Sequence, residues 1–380
     1  MKRTILIVTE RRADYSKFRP ILKEIEKSKK LDYFLIATGS HLLQNYGDSI
    51  NEIYSDGFKI SKKFHMYSKN KKDSEYEMSK AFGKCVLKLS DIVKELNPTI
   101  ILSGFDIGSN LAVSIVGAHF NKIVAHVEGG EVTGTIDESI RHAITKFSHL
   151  HFTSNKEATK RLVKMGEKSR LIFTVGNPSL DNILNVPKIS INKLENEFNI
   201  DMKKPFIIVI QHTVTTEIAK TEEYVLHTIN AINELKIQSV IILGNVDSGS
   251  QKIVDAIKKS GLQYFTTISF DKYINLLKHS SALVGNSSSG IMEAPFLHIP
   301  TINIGSRQSG RLSAKSVLHV DYDKKLIMRS ILKALNDKNF LKIIKQQKNY
   351  YGEGKTSKKI VNILENIDLD EISVQKQIEY

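Results

Sequence analysis

Four carboxylates in the first half of this 380-residue chain stand at or near strand ends, and one of them, Glu128, stands where a charge should be avoided unless it is used. Asp106 follows the apolar run 100–102, Glu128 ends the run 123–127, and Glu131 and Asp137 lie close behind. Acid groups held together push their pKa values apart, which separates an acid from a base. The same groups stabilise positive charge on a sugar carbon. Glu128 precedes two glycines and has no local capping role. Asp137 has a structural alternative: Thr135-Ile136-Asp137-Glu138 has capping-box spacing, and Asp137 with Arg141 has the spacing of an i, i+4 surface pair.

The second half carries a different chemistry. Gly285-Asn286-Ser287-Ser288-Ser289-Gly290 lies between a strand pattern and a helix pattern. Its glycines allow close backbone approach, its hydroxyls donate, and a helix start favours anions. An ordinary serine-capped turn explains the loop equally well. Arg307 and Arg311 tilt the choice toward a diphosphate, because guanidinium forks match phosphate oxygens. Glu293 is placed to accept ribose hydroxyls, with a solvated helix charge as the plain alternative. His212, on a strand end, suits phosphate binding or proton transfer, or is a satisfied structural histidine. There is no Walker A loop, no Gly-x-Gly-x-x-Gly, no Gly-x-Ser-x-Gly and no zinc spacing among the histidines. His149 and His151 read as structural. Cys85 is the lone cysteine, which excludes a disulfide scaffold and reads as buried packing.

Alternating patterns must position these residues. Strand-like runs are expected at 5–9, 33–38, 100–102, 123–127, 150–153 and 172–175, then at 206–210, 240–243, 264–267, 282–284 and 301–304. Helical periods lie between them, notably at 76–96 and 136–147. Fully apolar strands separated by helices indicate parallel sheets covered on both faces. About a dozen strands exceed one sheet, so the expected fold class is α/β with two doubly wound, Rossmann-like domains. The joint is expected near 182–195, where Val186-Pro187-Lys188 breaks the pattern. In such sheets ligands bind at the carboxyl ends of strands, where the unusual residues cluster. Two such rims suggest a cleft.

Composition bounds the rest. With 41% hydrophobic and 25% charged residues the chain is globular rather than disordered. The net charge of +14 comes from scattered lysines such as Lys27, Lys29, Lys30, Lys62, Lys63, Lys69, Lys71 and Lys72, without a tail or an aromatic-interleaved stripe, so no nucleic-acid partner is expected. No segment reaches the roughly 20 apolar residues of a membrane span, and no signal peptide is evident. A cytoplasmic protein without a membrane partner is expected.

Several ordered motifs now resemble the bacterial UDP-N-acetylglucosamine 2-epimerase family. They are Thr9-Glu10-Arg11-Arg12-Ala13-Asp14-Tyr15, His126-Val127-Glu128-Gly129-Gly130-Glu131, Thr133 to His142, Val175-Gly176-Asn177-Pro178, Gln211-His212 to Glu217, Gly285 to Pro295 and Gly305 to Arg311. The resemblance is to the hydrolysing branch that serves sialic- and legionaminic-type acids, and it runs from about residue 2 to the C-terminus. It implies a glycosyltransferase-B-like fold. The implied domains are 1–184, rejoined by a C-terminal helix at 360–380, and 185–359, which holds most of the nucleotide. It implies release of UDP and N-acetylmannosamine, or a related 2-acetamido sugar, by elimination to a glycal and hydration.

The matching acidic positions are Asp106, Glu128 and Asp137, with Glu131 close by. The matching nucleotide positions are Arg12, Gly176, His212, Asn286, Ser287, Ser288, Glu293, Arg307 and Arg311. The implied partner is a UDP-linked sugar, with a GDP-linked one as the alternative. No cofactor or bound metal is implied, and a homodimer is expected. This chain departs from the family pattern at five positions, one of them Phe105, which replaces a glycine. Ile107 replaces an arginine, Ser109 a glutamate, Glu10 a glycine and Thr213 a proline. Two other functions stand beside this one: a glycosyltransferase of the same architecture, and a nucleotide-sugar-binding regulator without turnover. The acidic group suits elimination and hydration better than acceptor recognition. A related alternative substrate is UDP- or GDP-N,N'-diacetylbacillosamine.

Overall fold

The computed structural model describes residues 2–43, 49–68, 74–244 and 247–379, which leaves Lys69, Lys71 and Lys72 outside. The chain forms two compact units. Unit 1 comprises Met1–Glu131, Ile136–Leu184 and Tyr351–Tyr380, and unit 2 comprises Val132–Thr135 and Asn185–Tyr350.

Unit 1 is built on strands β1 (Arg3–Thr9), β2 (Leu31–Ala37), β3 (Ile60–Lys63), β4 (Ile100–Gly104), β5 (Ile123–Val127), β6 (Leu150–Thr153) and β7 (Ile172–Thr174). They form one parallel sheet in the order β3-β2-β1-β4-β5-β6-β7. The order reverses between β1 and β4. That is the switch point at which doubly wound sheets leave room for ligands, and Glu10 to Arg12 and Asp106 follow these two strands.

Unit 2 repeats the plan with β8 (Phe206–Ile210), β9 (Gln238–Ile242), β10 (Tyr264–Phe265), β11 (Ala282–Gly285), β12 (Thr301–Ile304) and β13 (Val317–Val320). Its order is β10-β9-β8-β11-β12-β13, with the switch between β8 and β11. His212 follows one of these strands and Asn286 the other.

The core of unit 1 shows how the pattern becomes packing. Phe18, Ile21, Leu22 and Ile25 on the helix Arg12–Lys27 are all buried against the sheet. Burying such a side chain is worth about 1.5–3 kcal/mol. That helix contains Pro20, which cannot donate to the carbonyl of Ser16. The Asn182 amide donates to that carbonyl instead, so the missing bond is made by a residue of another element. Ile360, Val361, Leu364 and Ile372 join the same core. The helix there spans Thr356–Asn366, and residues 367–379 continue without regular structure, so the expected helix over 360–380 is half as long and begins earlier.

Two strands escaped the sequence pattern, β3 and β13. Both are edge strands with one neighbour each and half-exposed residues, so neither carries the continuous apolar run of a central parallel strand.

Candidate functional site

In unit 1 the acidic residues are held by partners that sequence spacing alone did not identify. Arg141 is fully buried on the helix Ile136–Phe147. One of its terminal nitrogens donates to Asp106 Oδ2 and the other to the carbonyl of Glu131, at 3.1 Å. The expected i, i+4 surface pair is therefore corrected: Arg141 points inward and ties two elements of the acidic group together. Asp106 keeps 22% of its side chain exposed. Asp137 sits half-buried in the first turn of the same helix.

Glu128 is buried. Its Oε2 accepts from Lys17 Nζ at 2.8 Å and its Oε1 from Asn177 Nδ2 at 2.8 Å. Lys17 also lies 4.5 Å over the Phe105 ring. Glu131 is buried too, and its Oε1 accepts from Asn155 Nδ2 at 2.5 Å. Phe105 and Glu128 both have left-handed backbones, with φ of 67° and 63°. Non-glycine residues rarely adopt this region, and such conformations gather at functional sites. Each of these two residues ends or follows a central strand and is adjacent to, or is itself, a candidate carboxylate.

Glu10, the residue standing where the resembled family has glycine, is also buried. Its Oε2 accepts from the backbone N–H of Ser109 at 3.0 Å, and its Oε1 from the Tyr67 hydroxyl at 3.3 Å. Ser109 lies in the first turn of the helix Gly108–His119, whose own cap position, Ile107, has no capping side chain. Glu10 thus caps from β1 the helix that opens two residues after Asp106. Close by, Asp14 accepts from the backbone of Glu10 at 2.8 Å and of Arg11 at 2.9 Å. Burial raises its carboxyl to about 7 despite these bonds. Arg12 is half-buried at the start of its helix.

Gly176 belongs to unit 1, apart from the other proposed nucleotide residues of unit 2. Its φ of 105° and its approach to the C-terminal segment explain the glycine: a Cβ there would meet Thr356 Oγ1 at 2.7 Å.

In unit 2 the loops after β8, β11 and β12 converge through Asn286. Its Oδ1 accepts from the backbone N–H of His212 at 2.7 Å and its Nδ2 donates to the His212 carbonyl at 2.9 Å. Its own carbonyl accepts from Arg307 at 3.2 Å and from Gln308 at 2.8 Å. Asn286 therefore organises His212 and Arg307. Arg311 donates from Nε to the carbonyl of Val132 at 2.8 Å, and Gly134 N–H donates to the Arg307 carbonyl at 3.0 Å. The 132–135 segment is packed into this loop.

The serines 287 and 288 are half-buried. The helix expected directly after them is absent. Ser288–Gly290 forms a single 3₁₀ turn, and only Glu293–Phe296 is α-helical. Gly290 lies so close to β12 that a Cβ would meet the Thr301 methyl at 2.5 Å. Glu293 is buried rather than solvated. Glu293 Oε2, Thr213 Oγ1 and Gln308 Oε1 are buried without a hydrogen-bond partner in the protein. Buried polar atoms are normally satisfied, so these are the groups a bound molecule would satisfy. Gln308 was not singled out in the sequence, where its only signal was its place beside Arg307, and Thr213 stood out only as a departure from the family pattern.

His149 and His151 do play structural parts, with His149 bonded to Val124 and Val374 and His151 to the buried Glu167. Cys85 is buried. Among the described residues no group of three His, Cys, Asp or Glu side chains is placed to hold a metal, and no helix is long and apolar enough to cross a membrane.

The sequence profile of the family described as UDP-N-acetylglucosamine 2-epimerase matches residues 23–365. A UDP-N-acetylglucosamine 2-epimerase of Neisseria meningitidis is 36% identical over 338 residues, covering 88% of each chain. A UDP-N,N'-diacetylbacillosamine 2-epimerase (hydrolyzing) of Legionella pneumophila is 33% identical over 373 residues, covering 97% of each. Among solved structures, a Neisseria meningitidis UDP-GlcNAc 2-epimerase bound to UDP-GlcNAc superposes with a TM-score of 0.81 at 18% identity, over 95% of this chain and 99% of that one. At that identity it speaks for the glycosyltransferase-B-like fold.

Proposed function

The chain belongs to the UDP-N-acetylglucosamine 2-epimerase family, and from that premise we propose that it is a hydrolysing nucleotide-sugar 2-epimerase. The substrate in this reading is UDP-N-acetylglucosamine or a related UDP-2-acetamido sugar. The products are free UDP and the free 2-epimeric sugar.

The observation that carries the reading is the set of carboxylates in unit 1, in which the buried Arg141 joins the Asp106 carboxylate to the main chain of Glu131. Elimination breaks the C1–O bond to UDP as a base takes the C2 proton, leaving a C1–C2 double bond. Water then supplies hydroxyl to C1, and a proton returns to C2 on the other face. The C2 hydrogen is not activated by a carbonyl, so early departure of UDP must place positive charge on C1. Glu128 is the preferred acid/base; Asp106, with 22% of its side chain exposed, is suited to face that carbon, and Glu131 and Asp137 supply negative potential. Proton transfer by a positioned carboxylate contributes about 10²–10⁴-fold.

The loops of unit 2 suit the nucleotide. Arg307, Arg311, His212, Ser287 and Ser288 offer donors for a diphosphate without a metal. Glu293 offers a buried acceptor for ribose hydroxyls. Arg12, in unit 1, is a further candidate for the phosphates.

The finer identity of the sugar has one serious alternative. The Legionella relative is named for UDP-N,N'-diacetylbacillosamine, and a Campylobacter jejuni relative, 32% identical, is named for the GDP- or UDP-linked form. Ile107 and Ser109 stand where the family pattern has charged side chains near Asp106, so the sugar pocket differs from the family's usual one. Product analysis over a panel of UDP- and GDP-linked 2-acetamido sugars decides. Free nucleotide and a free 2-epimer from one of them support the reading. UDP released only with an added acceptor indicates a glycosyltransferase, and binding without turnover indicates a regulator.

A further inference from the structure

His126 belongs to the motif around Glu128, yet the proposed chemistry gives it no part. It is fully buried in β5. Its Nε2 lies 3.2 Å from the carbonyl oxygen of Phe105, and its Nδ1 lies 3.2 Å from Thr145 Oγ1. A carbonyl only accepts, so Nε2 must carry the proton. The ring is deeply buried, and burial holds its pKa well below the ordinary histidine value. A neutral ring has one N–H, so Nδ1 accepts and the Thr145 hydroxyl donates.

Phe105 is the residue whose backbone φ is 67°. An aromatic residue in that region is strained and persists only where its surroundings over-determine it. β5 does so from both sides. The N–H of Phe105 donates to the Val127 carbonyl at 3.0 Å, and the carbonyl of Phe105 accepts from His126. The next residue is Asp106. The ring of Phe105 packs on Phe18, with centroids 5.0 Å apart. Gly129 is shaped by the same arrangement, since a Cβ there would lie 2.9 Å from His126 Nδ1.

We propose that His126 is a positioning residue: as the Nε2–H tautomer it locks the Phe105 carbonyl and with it the left-handed turn that presents Asp106. It does not shuttle protons, because its donor is engaged and its ring has no path to water. The positioning role rests on reading Asp106 as a group that faces the sugar.

Two measurements test it. In protein labelled with ¹⁵N at histidine, the His126 ring should show a protonated Nε2 and a bare Nδ1, unchanged from pH 5.5 to 8.5. A protonated Nδ1, or a ring that titrates in this range, overturns the proposal. This readout needs no turnover, so it stands apart from the success or failure of the epimerase reading.

The second is kinetic, on the substrate that the product panel selects. His126→Leu should lower kcat by about 10²-fold, as expected for misplacement of a reacting group, with UDP affinity within twofold of wild type. His126→Gln, whose side-chain amide can donate where Nε2 does, should recover at least tenfold of that loss. Thermal melting checks that both variants are folded. Near-normal kcat in a folded His126→Leu protein, or equal losses in folded Leu and Gln variants, contradicts the role.

Discussion

The buried guanidinium of Arg141 grips the partly exposed carboxylate of Asp106 from behind while holding the Glu131 carbonyl with its other nitrogen. Asp106 is thereby oriented by a charge that water does not reach. Arg141→Met should destabilise the protein by roughly 3 kcal/mol, the low end for losing one partner of a buried pair, because Asp106 retains some hydration. Denaturant midpoints at unchanged slope measure this. Turnover should fall further than stability explains, under conditions where the variant is fully folded.

Glu128 receives a lysine and an asparagine amide, so Glu128→Gln removes a negative charge and sets an amide against two donors. Turnover should drop by about 10²–10⁴-fold. UDP affinity should stay nearly unchanged, because the proposed nucleotide residues are mostly in unit 2. The loss should appear in kcat and kcat/KM together, as for an interaction made in the transition state. A near-normal kcat would return Glu128 to a purely structural role.

Glu10 caps the helix Gly108–His119 across the sheet. Glu10→Ala should cost about 1 kcal/mol, as for loss of a helix cap, and should lower turnover by loosening the Asp106 turn. Glu10→Gln keeps an acceptor for the Ser109 N–H and should retain most of both. If Ala and Gln variants melt and turn over alike, the cap is not what Glu10 contributes.

Glu167 lies beneath the C-terminal segment. Burial alone would raise its carboxyl, but the hydrogen bond from His151 and the Lys376 ammonium outweigh this and bring it to about 2. Lys146 adds a further contact at 2.9 Å. A depressed folded-state value gives stability that is full above the unfolded value of 4.5 and is lost as pH falls toward 2. Wild type should therefore melt higher than Glu167→Gln at pH 6, and the gap should narrow below pH 4.5. A gap that is constant over that range would sink the assignment.

Much of this was legible in the sequence because central parallel strands advertise themselves. β5 and β6 fall on the runs 123–127 and 150–153, and the carboxylates and arginines follow strand ends as the fold rule requires. What the pattern did not carry is partnership at long range. Arg141 looked like a surface partner of Asp137 because i, i+4 spacing is local, whereas its true partner is 35 residues away. Asn286 looked like a ligand group, but its side chain is bonded to the main chain of His212, 74 residues distant. The helix expected after Ser288 gave way because close packing of Gly290 on β12 overrides local propensity.

In the proposed reaction the chain eliminates the nucleotide and hydrates the resulting glycal. The most direct measurement is turnover of UDP-N-acetylglucosamine, and of UDP-N,N'-diacetylbacillosamine, in D₂O with the products read by NMR. The account predicts free UDP and a free 2-epimeric sugar carrying one solvent deuterium at C2. A product still linked to UDP, or a free sugar that keeps its C2 configuration and its original hydrogen, would contradict it.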